Sequence, residues 1–156
     1  MFALSGAISF GLLYIGHVGM FLGGITFGLV AAYLFACPPI TWLPIVILTD
    51  STWYASVQLT IHLIQDYSWN VYAAMAVAGV FGGAAVAAST GTGWRALLSV
   101  RVLAAAGFAG GLAALPLGWW EHHAEITGIV FFPAWHALVG LAMWRATATR
   151  VADKGQ

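Results

Sequence analysis

Apolar positions run almost unbroken along this chain, divided only by short polar clusters and prolines. The first run, Met1 to Cys37, has no charged residue and ends at Pro38-Pro39. Prolines there remove amide donors and push the preceding residue out of helical geometry. The pattern predicts a helix over about 8–35. The residues before it then lie at the membrane interface, form a short turn, or belong to a re-entrant piece. A second helix, about 41–64, closes at Gln65-Asp66-Tyr67-Ser68, and a third, about 71–88, closes at Ser89-Thr90-Gly91-Thr92-Gly93. A fourth covers about 96–117 and a fifth about 126–143. Crossing roughly 30 Å of hydrocarbon takes about 20 apolar residues, so each run is near the length of one span.

Composition makes the runs informative. Of 156 residues, 62% are hydrophobic and 6% charged, and mean hydropathy is +0.91. Soluble domains have about 25% charged residues. The expectation is an all-α polytopic integral membrane protein, a single helical-bundle domain over 1–156 with about five transmembrane helices. Soluble enzymes, disordered tails and nucleic-acid binders are excluded, the last because no basic patch exists. With Cys37 the lone cysteine, a disulfide scaffold and intramolecular dithiol chemistry are excluded too. No Lys or Arg precedes Arg95, which argues against an amino-terminal secretory signal.

Five spans would put every basic residue (Arg95, Arg101, Arg145, Arg150, Lys154) on or toward one side, and Asp66, Glu121 and Glu125 on the other. By the positive-inside rule the basic side is cytoplasmic, so the amino terminus faces out and the carboxyl terminus lies in the cytoplasm. Trp42, Trp69, Trp94, Trp119, Trp120 and Trp144 fall near proposed helix ends, as an aromatic belt would; Trp53 and Trp135 lie deeper. Gly19/Gly23 and Gly24/Gly28 have the spacing that lets helices approach closely in lipid. The third and fourth helices read as Ala/Gly ribs suited to scaffold or an oligomer face.

The second helix carries chemistry. At about 100° per residue, Asp50, Ser51, Tyr54, Gln58 and His62 share one arc about a third of the circumference wide. A polar arc in hydrocarbon must face other helices or a water-filled cavity. Asp50 is the candidate catalytic group, about 15 Å beyond the proline turn and near mid-membrane. Arg101 is its candidate partner, in a pair that either fixes packing or serves binding and proton transfer. Ser51, Tyr54, Gln58, His136 and Arg101 complete the candidate substrate or proton path.

His17, His62, His122 and His123 come from three helices and are the candidate metal ligands in the outer half. Imidazoles with carboxylates nearby suit zinc or copper, and paired imidazoles suit haem iron. His136 lies 14 residues after His122, about 21 Å further along the same helix. One haem or one small metal site is the economical version.

Phe132-Pro133-Ala134-Trp135-His136-Ala137-Leu138-Val139-Gly140 resembles the last helix of the alkaline-ceramidase-type membrane hydrolases. That resemblance implies a zinc site with His62 and Asp66 as helpers, although Phe132 stands where the family's H-x-x-x-H has its first histidine and the chain is two helices short. His122 to His136, with Pro133 between, is similar in spacing to a copper-binding helix of membrane copper monooxygenases, with Gly118 where an Asn is expected. Neither resemblance covers a fifth of the chain. The expected function is a metal- or haem-binding membrane enzyme or redox subunit. A metal-free transporter or substrate-binding subunit, or a structural subunit, is the alternative. The expected partners are the lipid bilayer and a homo-oligomer or larger membrane complex, without nucleic acid.

Overall fold

The computed structural model describes the backbone of residues 1–13, 23–116 and 120–153, and side chains for 1–11, 23–116 and 130–148. All regular structure among the described residues is helical: α1 (Phe2–Leu13), α2 (Gly23–Leu34), α3 (Trp42–Gln65), α4 (Val71–Gly91), α5 (Val100–Ala114) and α6 (Trp120–Asp153). Single 3-10 turns, Pro39–Thr41 and Arg95–Leu98, precede α3 and α5.

Local chemistry sets the boundaries. The Asn70 side chain accepts from the Tyr72 amide at 2.9 Å, and the Ser99 hydroxyl accepts from the Val102 amide at 3.4 Å, satisfying donors that a helix start leaves free. After α2, the Ala36 amide donates to Tyr33 and the Cys37 amide to Ala32, at 3.1 and 2.9 Å. This six-residue closure places Ala36 at φ 48°, a left-handed position that usually favours glycine.

The amino-terminal third departs from expectation. One straight helix would hold Phe2 and Phe27 about 37 Å apart, yet their ring centroids lie 5.1 Å apart. Thr26 donates to the Ser5 carbonyl at 3.2 Å and Ser9 to the Gly23 carbonyl at 3.0 Å. The single helix over 8–35 is therefore corrected to two helices folded back on each other.

The placement of the amino end is corrected with it. Phe2 lies 6.4 Å from Phe35, and Phe35 lies 5.1 Å from Trp94 and 6.2 Å from Trp144. Phe2 also covers Gly140 of α6. The amino end thus sits at the same end of the bundle as the Arg95 turn and the carboxyl-terminal half of α6, not opposite them.

The helices assemble around apolar contacts, with Phe27, Ile45, Leu97, Val102, Val139 and Met143 almost completely buried. Helix α1 packs on α6 and α2, α2 on α3, α3 on α4, and α5 between α4 and α6. The α4–α5 contact is the closest: a Cβ on Gly83 would overlap the Ala106 carbonyl, and one on Gly110 would overlap that of Gly79. The Ala/Gly ribs meet each other inside the chain. Outside, large apolar side chains point away from the bundle; Leu43 is 68% exposed and Phe108 67%.

Among the described residues, one helix (α4, mean hydropathy 1.9) is long and apolar enough by itself to cross a membrane; α1, α2 and α5 are apolar but shorter. Helix α3 has 24 residues, but Asp50, Ser51, Gln58 and His62 lower its hydropathy.

Candidate ligand-binding site

Helices α3 and α4 pack on each other, but α6 does not close on them. Between them lies a cavity of about 270 Å³. Trp53 of α3 and Phe131, Phe132 and Trp135 of α6 form its aromatic wall; Ala78, Gly79, Gly82 and Val86 of α4 form a smooth opposite wall. Trp53 and Trp135 meet edge to face, with centroids 6.0 Å apart at 74°, and the tilted rings of Trp53 and Phe132 are 5.2 Å apart at 48°. Such ring pairs contribute beyond the area they bury, so the wall is held rigidly even beside empty space.

The cavity holds hydroxyls but little free polarity. Ser56 donates to the Thr52 carbonyl at 2.9 Å, and Thr60 to that of Ser56 at 3.1 Å. Those hydrogens are committed to the helix's own backbone. Thr52 adds a third hydroxyl to the lining, and the rest of the surface facing the cavity is aromatic and aliphatic.

Behind Trp135 lies a buried polar network. His136 is 1% exposed, and its Nδ1 lies 2.8 Å from the Ser5 hydroxyl, which itself donates to the Phe2 carbonyl at 2.7 Å. A hydroxyl has one hydrogen, so with Ser5 donating to Phe2 the imidazole Nδ1–H donates to Ser5. The Phe27 ring stands 5.0 Å from the imidazole at 86°. The Ser9 and Thr26 hydroxyl oxygens are in contact alongside. These contacts fasten α1 and α2 to α6.

The expected site residues are dispersed. Asp50 sits where α2 crosses α3, so close to Gly24 that a Cβ there would overlap the Asp50 backbone. The Gly24 amide donates to its carboxyl group, while its Oδ1 is buried without a hydrogen-bond partner among the described residues. Arg101 is exposed on α5, whose neighbours are α4 and α6; the two side chains are not brought together. Ser51, Tyr54, Gln58 and His62 keep their common arc on α3 but point out of the bundle. His62 Nδ1 pairs with Asp66 Oδ2, both side chains well exposed, and the Tyr67 ring lies 5.2 Å from the imidazole.

Of the candidate metal ligands, His17 lies outside the described residues, as do the side chains of His122 and His123. Among the described residues no group of three or more His, Cys, Asp or Glu side chains converges. Cys37 is buried, and that burial raises its thiol pKa above the ordinary range.

Sequence reasoning passed over Phe131 and Met75, which line the cavity, and Ser5, Ser9 and Thr26 of the buried network. Trp53 and Trp135 did stand out, as the two tryptophans away from the helix ends. Ser5, Ser9 and Thr26 gave no signal, because small hydroxyls in apolar runs usually bond their own helix. In comparisons with known proteins, no family, curated protein or solved structure matches the chain.

Proposed function

We propose that this chain is an integral membrane protein that binds a small apolar molecule in the cavity between α3, α4 and α6, as a carrier or substrate-binding subunit. The cavity carries the reading. Sites for drug-sized ligands have about 300–1,000 Å³, and 270 Å³ falls just below. It suits one ring system or a segment of acyl or isoprenoid chain. Its aromatic wall and backbone-committed hydroxyls offer such a ligand dispersion contacts and few competing hydrogen bonds.

Support for the membrane setting comes from the composition and from the outward apolar side chains on several helices. In that setting the end bearing Arg95 and Arg145 faces the cytoplasm. Phe2 and Phe35 lie at that end, so α1 starts and α2 finishes on the cytoplasmic side, where α6 also ends.

The test is fluorescence titration of the detergent-purified chain with cis-parinaric acid, reading energy transfer from tryptophan. Saturable binding that Ala78→Leu abolishes by filling the cavity is the expected result. Unchanged binding by the folded variant would place the ligand elsewhere.

One observation favours a second reading, a metal or haem site at the outer end. Asp66 holds His62 through Nδ1, which leaves Nε2 as the nitrogen for a ligand, the arrangement that carboxylates impose on metal-bound histidines. His17, His122 and His123 would complete the set around zinc, copper or haem iron, with Asp50 as the proton-accepting group. Elemental analysis and a visible spectrum test it. A stoichiometric metal lost in His62→Ala supports it, and full occupancy in that variant rejects it.

A further inference from the structure

Helix α3 is inverted relative to its surroundings. Its cavity-side Thr52, Ser56 and Thr60 lie roughly 140° around the axis from Ser51, Gln58 and His62. On the inner side, Ser56 and Thr60 are bonded to their own backbone. On the outer side, Gln58 makes no hydrogen bond among the described residues and its side chain is exposed. The same outward surface elsewhere carries Leu43, Ile47 and Phe108. An exposed amide among such neighbours has no partner in lipid, and leaving it unsatisfied costs several kcal/mol.

The spacing of the exposed positions says what covers them. Ile47, Ser51, Tyr54, Gln58, Ile61 and Gln65 are all exposed, and they follow one another at alternating intervals of four and three. That is the seam of two helices packed side by side with a left-handed twist, where a single polar seam residue fixes register. The polar members are self-complementary: a hydroxyl or an amide both donates and accepts, so a residue meeting its own copy across a two-fold axis finds a partner. No like charges would be forced together at the seam, since Asp50 turns toward α2 and Asp66 pairs with His62.

We infer that α3 is the contact between two copies of this chain, arranged in parallel about a two-fold axis along the membrane normal, with Gln58 bonded to its counterpart near the centre. This rests on the membrane reading but not on the cavity's ligand. The cavity is lined mainly by the opposite side of α3, through Thr52, Trp53, Ser56 and Thr60, and of the seam residues Ile61 alone is in its lining, so substitutions at Ser51 and Gln58 test pairing apart from ligand binding.

Cysteine cross-linking in native membranes tests it, in a Cys37→Ala background. Gln58→Cys and Ser51→Cys should form disulfide-linked dimers under mild oxidation, while Val80→Cys and Phe108→Cys, exposed on α4 and α5, should not. Gln58→Leu should weaken pairing of the otherwise native chain about tenfold, read by energy transfer between fluorescently labelled copies in vesicles, and Gln58→Asn should restore most of it. Monomers at every density, or equal cross-linking at all four positions, would overturn the pairing. Extraction of the chain by alkaline carbonate would instead reject the membrane setting, and the cross-links alone would then decide whether the seam pairs copies.

Discussion

Helix α4 presents small residues to two neighbours. Toward α5, Gly83 lets backbone meet backbone so closely that no side-chain carbon fits. Toward α3 and α6, Ala78 and Val86 border the cavity that Trp53 and Trp135 bound from the other side. The partner decides the outcome. Where α5 is equally small, at Gly107 and Gly110, the helices slide together until main-chain atoms touch. Where the partner projects braced aromatic rings, they cannot, and a small residue becomes a missing volume. Residues that look alike in composition are a seam on one side and a binding site on the other.

The sharpest way to break this contrast is to enlarge a residue on each side of α4. Gly83→Leu should cost about 3 kcal/mol or more, because the Ala106 carbonyl belongs to backbone and cannot turn away. Thermal unfolding in detergent would register it, and a near-native melting temperature would mean that the seam is looser than described. Ser5→Ala should cost about 2 kcal/mol by leaving the buried His136 Nδ1–H without its acceptor. The same melting experiment checks it, and a loss confined to the amino-terminal hairpin should appear as faster proteolysis there. Ala78→Leu should leave stability unchanged or raise it by about 1 kcal/mol, since it fills space rather than displacing atoms, while abolishing cis-parinaric acid binding. A large destabilisation would show that the cavity side is as tightly packed as the seam. The smallest effect is expected at Ala36→Gly, a gain of about 0.5–1 kcal/mol from relieving the left-handed backbone at φ 48°.

Much of the helical plan is written in local signals. Pro38-Pro39 marks the turn before α3, and Asn70 and Ser99 cap α4 and α5 where polar clusters interrupt the apolar runs. The fold-back at the amino end is not written that way. Met1 to Cys37 has no charge and no proline, so hydropathy alone cannot distinguish one long helix from two. What selects two is tertiary: Thr26 reaching Ser5, and Ser5 reaching His136. The arc on α3 was legible as an arc, but periodicity cannot say whether it turns inward. The cavity was least legible, because it depends on which helix each small residue meets.

The Ser5–His136 bond joins groups separated by 131 positions in the chain. Helix α1 therefore gains its principal fastening only after α2 to α5 and part of α6 have been made. Until α6 arrives, α1 has α2 alone to lean on, and its exposed apolar flank is open to wrong partners. Contacts of such long sequence separation form slowly and late. Assembly of this bundle should end with its beginning: the amino-terminal hairpin docks last, onto a frame built by α3 to α6.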